Sequence, residues 1–595
     1  MATGFALLVA SCLPLAALGA GASRNAPALK LRPFKTGSIK LLPGTLKDAF
    51  NRNAAYLKSL DNDMLLYCYR FFAYRKAPGQ PPGGWEYPLN ANKGSFLGHW
   101  LSAAAQTIAA TGDQELKKKA DEIIADLRQD QLAYGDGWVQ ASGPERLLVF
   151  LGKHGGDPDF SVITAPFYVV HKMLAGLLDM YELTGDENAM VVARDFAGFV
   201  KKEVGSLTDK HLQQLLDREH GGMEEVLYNL AQATGDESYA KLGRRFEHLA
   251  FTGPLKRHED ELTDKHVNTN LPKLVGEARR WEVFGDKDAE SLVEYAWDTI
   301  ANTRSYATGG SSSKEFWRKP NKLVETLCPE TQESCTNYNW EKLTRHVLEW
   351  TADAKYGDMI ERVMFNGIMP AQNPNDGMFI YFLPLTTTGA KKQWGTPTDS
   401  FWCCYGTMVE SFSTLSANAY FQSDDSLAVN LYIPAEVTWN GVTVSQETAF
   451  PESDSAEIKL SMRQARKFAL LLRIPAWADK GAAVKVNGST WSEPPVAGTF
   501  LRVERTWQDG DTVAVVLPKR LHLQTLGDDP HVVAVMFGPI VLGALTEKGL
   551  TLPAGDASGW LKRQGDSLTF EGAGTTFKPL FDIVDETYCA YFAKP

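Results

Sequence analysis

The stretch PFYVVHKMLAGLLDMYELTGD, residues 166–186, sets the pattern for residues 45–424. Its apolar residues recur at spacings of three and four, which is the period of an amphipathic α-helix. It ends in Gly-Asp, where glycine can adopt the left-handed conformation of a helix C-terminus and aspartate can cap the next N-terminus. The stretch SFLGHWLSAAAQTIAATGD, residues 95–113, has the same pattern and the same ending. Both stretches predict helical hairpins.

The Gly-Asp signal recurs along this part of the chain. It occurs at Gly112-Asp113, Gly185-Asp186, Gly235-Asp236 and Gly285-Asp286, and Thr351-Ala352-Asp353 is a degenerate fifth copy. The intervals are longer and less regular than those of tetratricopeptide-type solenoids, so hairpins that close into a toroid are favoured.

After about residue 425 the pattern changes to alternating β-branched and polar residues, as in FLRVERTWQDGDTVAVVLP, residues 500–518. Asp-Gly and Asn-Gly pairs between such runs are typical of β-hairpin turns. The sequence predicts an antiparallel β-sandwich over 425–522 and a further β-region over 523–595. Residues 23–44 are expected to be an extended segment that joins a β-domain.

Residues 1–22 have the features of a secretory signal peptide, with an apolar run from Phe5 to Ala20 and small residues after it. The run is too short for a membrane anchor and is broken by Pro14. We therefore expect export to the extracellular space or cell wall, with a vacuole or lysosome as the alternative.

The composition excludes several classes of partner. The chain has 595 residues, 44% of them hydrophobic and 22% charged, which suits several packed domains. A net charge of -11 argues against a nucleic acid or an anionic membrane as partner. Fifteen tryptophans suit a carbohydrate-stacking cleft and equally an ordinary core. The oligomeric state stays open.

Two short motifs carry most of the candidate chemistry. Glu333-Ser334-Cys335 places a carboxylate and a thiol two residues apart at the start of a predicted helix. DSFWCCYGTMVESFS, residues 399–413, contains Cys403 and Cys404, neighbours that seldom form a disulfide with each other. Three thiolates and a carboxylate suit a tetrahedral Zn²⁺ site, although the C-x-x-C pairs of structural zinc sites are absent. From these residues alone, a zinc site and four buried structural residues are equal alternatives.

Four runs of sequence resemble a known family: GGSSSKEFW, ESCTNYNWEKLTRHVLEWT, YGDMIERVMFNGIM and QWGTPTDSFWCCYGTMVESFS. They resemble glycoside hydrolase family 127, the β-L-arabinofuranosidase-like enzymes, and within it the secreted plant-type branch. The resemblance implies an (α/α)6 barrel followed by antiparallel β-sandwich domains. It also implies a retaining exo-glycosidase that removes terminal β-L-arabinofuranosyl units from an arabinose-containing glycan or glycoprotein.

The resemblance implies a zinc ion held by one glutamate and three cysteines: Glu333, Cys335, Cys403 and Cys404. Cys403 falls on the nucleophile that attacks the anomeric carbon. Glu315 falls on the general acid/base, although Lys314 stands before it where glycine is expected. Zinc coordination stabilises a thiolate, so it would supply the anion without a separate base. Retaining hydrolysis needs such a nucleophile and an acid/base on opposite sides of the glycosidic bond.

Further residues are candidates for contacts with the sugar. His266, Glu361 and Tyr381 match positions that bind sugar hydroxyls in the family, and a surface ion pair is the alternative for Glu361. His171 and His99 lie in apolar helices, where a histidine is more often a core residue than a lining one. Three tryptophans are candidates for stacking and equally for the core: Trp100, Trp394 and Trp402.

Two other functions stay open. Helical toroids host several carbohydrate chemistries, so the chain could act on another furanoside or pyranoside, or as a uronic-acid lyase. A non-catalytic carbohydrate-binding protein with a structural zinc is disfavoured, because the key residues are all present: Glu315, Glu333, Cys335, Cys403 and Cys404.

Overall fold

The structure is a computed structural model that describes residues 26–154 and 165–595. The predicted signal peptide lies outside the described residues. The α-helices, in chain order, are α1 (Thr45–Ser59), α2 (Asn62–Phe72), α3 (Phe96–Thr111), α4 (Gln114–Tyr134), α5 (Glu145–Phe150), α6 (Pro166–Thr184), α7 (Glu187–Gly205), α8 (Asp209–Leu216), α9 (Met223–Thr234), α10 (Glu237–Arg245), α11 (Leu249–Lys256), α12 (Val267–Phe284), α13 (Lys287–Thr303), α14 (Ser334–Thr351), α15 (Ala354–Val363), α16 (Cys403–Ser413) and α17 (Ala557–Trp560).

Six inner helices close into a ring. In order around the ring they are α3, α6, α9, α12, α14 and α16, and α16 packs back against α3. The first five are each followed by an outer helix that packs against them, whereas α16 packs against α1 from the start of the chain. Each hairpin returns the chain to the same end, so the N-termini of the inner helices all lie at one end of the ring. The predicted (α/α)6 barrel is confirmed.

The Gly-Asp pairs mark the hairpin turns, as the sequence predicts. Gly185 ends α6 with φ 76°, and the side chain of Asp186 accepts hydrogen bonds from two backbone N–H groups at the start of α7. The degenerate copy adopts the same geometry, with Ala352 at φ 51° and Asp353 as the N-cap of α15. The alanine adopts a conformation that glycine adopts at less cost.

The strands follow the barrel, apart from two short ones before α1. In chain order they are β1 (Arg32–Pro33), β2 (Ile39–Leu41), β3 (Tyr420–Gln422), β4 (Ser426–Val429), β5 (Ala435–Trp439), β6 (Val442–Thr448), β7 (Ser455–Met462), β8 (Arg466–Ile474), β9 (Ala483–Val486), β10 (Ser489–Thr490), β11 (Thr499–Trp507), β12 (Thr512–Val516), β13 (Leu521–Thr525), β14 (Val532–Phe537), β15 (Ile540–Leu545), β16 (Lys562–Arg563), β17 (Phe570–Gly572), β18 (Thr575–Pro579), β19 (Tyr588–Cys589) and β20 (Phe592–Ala593).

Three sheets result. A five-stranded sheet has the order β1-β3-β4-β8-β11, and a seven-stranded sheet has the order β10-β9-β12-β7-β6-β5-β2. Trp439 of the second sheet packs edge-on against Phe468 of the first, with ring centroids 5.3 Å apart, as facing layers of a β-sandwich do. An eight-stranded sheet of β13 to β20 follows. Strands β1 and β2 pair with β3 and β5, so the residues before the first helix add a strand to each sheet of the sandwich.

No helix within residues 26–154 and 165–595 combines the length and the apolar character that crossing a membrane requires.

Candidate active site and metal centre

One glutamate and three cysteines meet where two inner helices begin: Glu333, Cys335, Cys403 and Cys404. We call them the thiol-carboxylate cluster. Glu333 directly precedes α14, and Cys403 is the first residue of α16. The Cys335 and Cys404 sulfurs are 3.4 Å apart, and Glu333 Oε1 lies 3.8 Å from the sulfur of each of the adjacent cysteines. One ligand atom from each residue lies within 4.8 Å of the other three.

The thiol-carboxylate cluster has the donor set of a metal site. Glu333 is 0% exposed, and its Oε2 accepts no hydrogen bond from any described residue. An unpartnered buried carboxylate oxygen is costly unless a cation compensates it. Burial raises the pKa of Glu333, Cys335 and Cys404, so without a cation these groups retain protons. A thiolate-seeking divalent metal would replace those protons, and the four residues fit it.

Glu315 lies beside the thiol-carboxylate cluster. The Tyr381 hydroxyl donates a hydrogen bond to Glu315 Oε1 at 2.5 Å and lies 3.9 Å from the Cys403 sulfur. His266 Nε2 lies 3.5 Å from Glu315 Oε2. The pKa of Glu315 is lowered mainly by hydrogen bonding to His266. Burial acts in the opposite direction, and the hydrogen bond from Tyr381 lowers the pKa further. The free site therefore favours the carboxylate form of Glu315.

The backbone that carries Glu315 is a tight turn. Lys314 and Glu315 have φ of 49° and 70°, so two residues with side chains adopt left-handed conformations in succession. Lys314 N–H donates to the Glu330 carbonyl at 2.9 Å, and the Glu315 carbonyl accepts from Val267 N–H at 2.8 Å. The position of Lys314, where glycine is expected, is thus one that glycine would occupy with less strain.

His266 is the N-cap of α12. Its Nδ1 accepts a hydrogen bond from the Thr269 backbone N–H at 3.2 Å, so the ring proton of the neutral imidazole sits on Nε2. That nitrogen is the one that faces Glu315. The capping bond therefore selects the tautomer that can donate to the carboxylate.

Residues 38–417 match the family model of the β-L-arabinofuranosidase GH127 catalytic domain, and residues 426–519 match that of the GH127 middle domain. The chain belongs to glycoside hydrolase family 127.

The relatives of this GH127 enzyme agree in length and in fold. A non-reducing end β-L-arabinofuranosidase from Bifidobacterium longum subsp. longum is 22% identical over 542 residues, which cover 80% of this chain and 78% of that protein. The crystal structure of a GH127 β-L-arabinofuranosidase from Geobacillus stearothermophilus T6 matches with TM-score 0.71 and 18% identity, over 94% of this chain and 100% of that one. A second GH127 β-arabinofuranosidase structure matches with TM-score 0.74 and 18% identity, over 96% and 98% of the two chains.

Four residues beside the thiol-carboxylate cluster of this GH127 enzyme were not predicted from the sequence. Asn268 Nδ2 lies 4.0 Å from the Cys403 sulfur, and Thr407 Oγ1 lies 3.3 Å from the Cys335 sulfur. Tyr168 belongs to the same buried cluster as the three cysteines, and Trp85 packs against that cluster. Helical spacing could have found Thr407, which lies one turn after Cys403, and proximity to His266 could have found Asn268. Trp85 and Tyr168 come from distant parts of the chain, and no local signal marks them.

The structure does not bring Glu361 to this site. Its Oε1 accepts a hydrogen bond from Arg473 Nη2 at 2.8 Å, and its Oε2 accepts one from Trp477 Nε1 at 2.7 Å. Glu361 is 1% exposed, so the ion pair that it forms with Arg473 is buried and does not lie at the surface. The residue joins α15 of the barrel to the β-sandwich, where both carboxylate oxygens are occupied.

The other two histidines predicted from the sequence, His99 and His171, are buried on inner helices of the barrel. His99 is buried, with Nδ1 bonded to Glu410 and Nε2 2.9 Å from the Tyr168 hydroxyl, so both nitrogens are occupied by protein. His171 is buried against Gly222 and lines a cavity of about 190 Å³ inside the ring of inner helices.

The three tryptophans differ in their surroundings. Trp100 is 0% exposed and donates to the Leu57 carbonyl, so it belongs to the core. Trp394 is half-buried and donates to the Val584 carbonyl. Trp402 is half-buried and packs edge-on against Tyr381, with ring centroids 5.7 Å apart. Of the three, Trp402 is the one in contact with a residue of the site.

Proposed function

We propose that this glycoside hydrolase cleaves terminal β-L-arabinofuranosides with retention of configuration, using Cys403 as nucleophile and Glu315 as acid/base. The support comes from the geometry at Tyr381, whose hydroxyl contacts both groups. The Tyr381 hydroxyl lies 3.9 Å from the Cys403 sulfur and 2.5 Å from Glu315 Oε1, so the distance between the sulfur and that oxygen cannot exceed the sum of these two distances. This upper limit lies below the separation of about 6.5–9.5 Å between the two carboxyl groups of inverting glycosidases, which must admit a water between them. In retaining glycosidases the separation is about 5–5.5 Å.

The burial of the cysteines favours Cys403 over Cys404 as nucleophile. Cys403 is 6% exposed, whereas Cys404 is 0% exposed and its sulfur lies 3.7 Å from the backbone carbonyl of Tyr381. Cys403 is therefore the sulfur that a sugar can approach. Its pKa is lowered by hydrogen bonds from Cys335 and Cys404, which favours the anion.

We propose Zn²⁺ as the metal of the thiol-carboxylate cluster, because three thiolates and a carboxylate are a zinc donor set. When bound, zinc would keep the cysteines as thiolates near neutral pH. The chain's own residues then divide the work. Trp402 packs against Tyr381, whose hydroxyl lies 3.9 Å from the Cys403 sulfur, while His266 and Tyr381 hold the Glu315 carboxylate in place through their contacts.

The first step forms the bond between the Cys403 sulfur and the anomeric carbon, while the bond from that carbon to the leaving oxygen breaks. Glu315 gives its proton to that oxygen. A sugar that covers Glu315 removes water from the carboxylate, which raises its pKa, so substrate binding and proton uptake are coupled. In the second step Glu315 takes a proton from water, the water oxygen attacks the anomeric carbon, and the Cys403 thiolate leaves. Two inversions give net retention.

Activity on 4-nitrophenyl β-L-arabinofuranoside tests this proposal. We expect Cys403→Ala to abolish turnover and Glu315→Gln to reduce it by about 10²–10⁴-fold. Cys589→Ala, which removes a buried thiol of β19, is the matched control and should retain the wild-type rate. Azide should rescue Glu315→Gln and give the β-azide. A Cys403→Ala variant with wild-type turnover would rule out the nucleophile, and an α-azide would rule out retention.

Export is part of the proposal and rests on residues 1–22 alone. Expression of the full chain in a eukaryotic secretion host should release a protein into the medium whose N-terminus lies after this segment. Retention of the complete chain inside the cell would contradict it.

A further inference from the structure

A buried chain of three polar side chains leads from the barrel interior to the thiol-carboxylate cluster. Glu410 Oε1 bonds to His99 Nδ1, and His99 Nε2 lies 2.9 Å from the Tyr168 hydroxyl. Tyr168 belongs to the same buried cluster of side chains as Cys335, Cys403 and Cys404. The three residues belong to different inner helices, α16, α3 and α6.

The direction of these hydrogen bonds follows from the charge on Glu410. Tyr338 donates to its Oε2 at 2.5 Å, and Lys172 Nζ lies 3.6 Å from its Oε1. Burial favours the neutral acid, but Lys172 and His99 outweigh it and lower the pKa of Glu410 to about 2. A carboxylate only accepts, so His99 Nδ1 carries the ring proton.

The direction of the hydrogen bond between His99 and Tyr168 then follows. Burial, followed by the charge of Lys172, lowers the pKa of His99 to about 4. The ring is therefore neutral, and its Nε2 is a hydrogen-bond acceptor. The Tyr168 hydroxyl must donate to that nitrogen. With its proton committed to His99, the Tyr168 oxygen presents only lone pairs to its other neighbours.

Packing holds the imidazole in this position. His99 is 1% exposed and lies against Gly406, one turn after Cys403 in α16. A Cβ atom at position 406 would lie 2.2 Å from His99 Cδ2, so the ring occupies the space that a larger residue would need. The ring is therefore fixed between α3 and the helix that carries the nucleophile.

We propose that Tyr168 contacts the substrate as a hydrogen-bond acceptor for a hydroxyl of the sugar ring, and that His99 and Glu410 are positioning residues that commit its proton away from the sugar. Tyr168 is 6% exposed, as is Cys403, and the two side chains belong to one cluster beside Glu315 and Tyr381. Sugar hydroxyls can donate to such an oxygen, and a fixed acceptor selects the hydroxyl that points at it. The inference rests on the proposed function, because it needs an arabinofuranosyl ring in the site.

Deoxy analogues test the contact. We expect Tyr168→Phe to lower kcat/KM for 4-nitrophenyl β-L-arabinofuranoside by about tenfold, the value of one hydrogen bond of about 1.4 kcal/mol. For the one monodeoxy analogue that lacks the contacted hydroxyl, the variant and the wild type should be equal. A structural role would lower kcat/KM for all analogues alike, and that result would overturn the inference. Tyr228→Phe is the matched control, since Tyr228 is buried in α9 with its hydroxyl 3.4 Å from Glu224.

The positioning role has its own readouts. His99→Phe should abolish the same discrimination between parent and deoxy analogue, and it should add nothing to Tyr168→Phe in the double variant. In the metal-loaded protein, ¹⁵N NMR should show the His99 ring protonated at Nδ1 and not at Nε2, and Glu410→Gln should change that pattern. A ring protonated at Nε2 would overturn the inference.

The two proposals fail separately. If the wild type hydrolyses none of the arabinofuranosides, the proposed substrate is wrong, and the His99 tautomer still decides the direction of the hydrogen bonds. If the wild type is active and Tyr168→Phe affects every analogue equally, the proposed function stands and the contact is wrong.

Discussion

Replacing Glu361 by glutamine separates a binding role from a structural one. The carboxylate pairs with Arg473 and Trp477, which belong to the β-sandwich region. Arg473 is 0% exposed, so the pair is a buried ion pair across the contact between barrel and sandwich. Glu361→Gln keeps the shape of the side chain and removes its charge. We expect a loss of stability and no change in the affinity for sugar.

The structure sets the size of that loss. Removing one partner of a buried ion pair costs about 3–5 kcal/mol, because the other charge stays buried without compensation. Arg473 keeps Asp358 as an ion-pair partner and donates from Nε to the Asn430 carbonyl at 2.5 Å, which places the cost at the lower end. The oxygen of the glutamine amide can accept a hydrogen bond from one of the two former donors, whereas its NH2 group would face the other donor. We expect the free energy of unfolding to fall by about 3 kcal/mol.

Thermal unfolding and steady-state kinetics on the same samples give the two readouts. The apparent Tm of Glu361→Gln should fall, while KM for an aryl β-L-arabinofuranoside at a temperature well below Tm should match the wild type. Glu457→Gln, on the exposed face of β7, is the control for loss of one carboxylate and should change neither value. A raised KM with an unchanged Tm would refute the structural role and return Glu361 to the sugar site.

Three further predictions concern the metal, pH and a backbone position. Glu333→Gln should lose the bound metal and lower Tm, and metal analysis by mass spectrometry should find less than one ion per chain. Burial raises the pKa of Glu277 to about 7, so its contribution to stability is full below about pH 4.5 and is lost as pH rises through 7. Glu277→Gln should remove this dependence, worth about 2.5 kcal/mol, when urea unfolding at pH 5 and pH 8 is compared. Ala352→Gly should relieve the left-handed alanine and raise the free energy of unfolding by up to about 1 kcal/mol, measured as a higher urea midpoint.

The barrel could be predicted because its signals are local. A helix end with glycine at φ 71° and a following aspartate cap needs only neighbouring residues, and Gly112-Asp113 and Gly235-Asp236 show both. The helical period and the alternation of the strands can likewise be recognised within a single helix or a single strand. The thiol-carboxylate cluster could be assembled because each half is a compact motif at the start of a helix.

The rest depends on pairs that are distant in sequence. Glu361 is 112 residues from Arg473, and His99 is 311 residues from Glu410. No local pattern tells a buried carboxylate whether its partner is a sugar hydroxyl or an arginine of another domain. The sequence makes His99 a candidate lining residue, and only the structure reveals that both of its ring nitrogens have protein partners.

The inner helices explain how an acidic chain can gather anionic ligands at one point. The exposed N–H groups of a helix N-terminus carry a partial positive charge of about +0.5, which acts within the first turn. Cys335 is the second residue of α14, and Cys403 and Cys404 are the first two residues of α16, so all three sulfurs lie within that range. Helix dipoles of this size offset only part of several buried negative charges. The remainder calls for protons or a cation, so the geometry that gathers the thiols also makes a donor set that a metal ion fits.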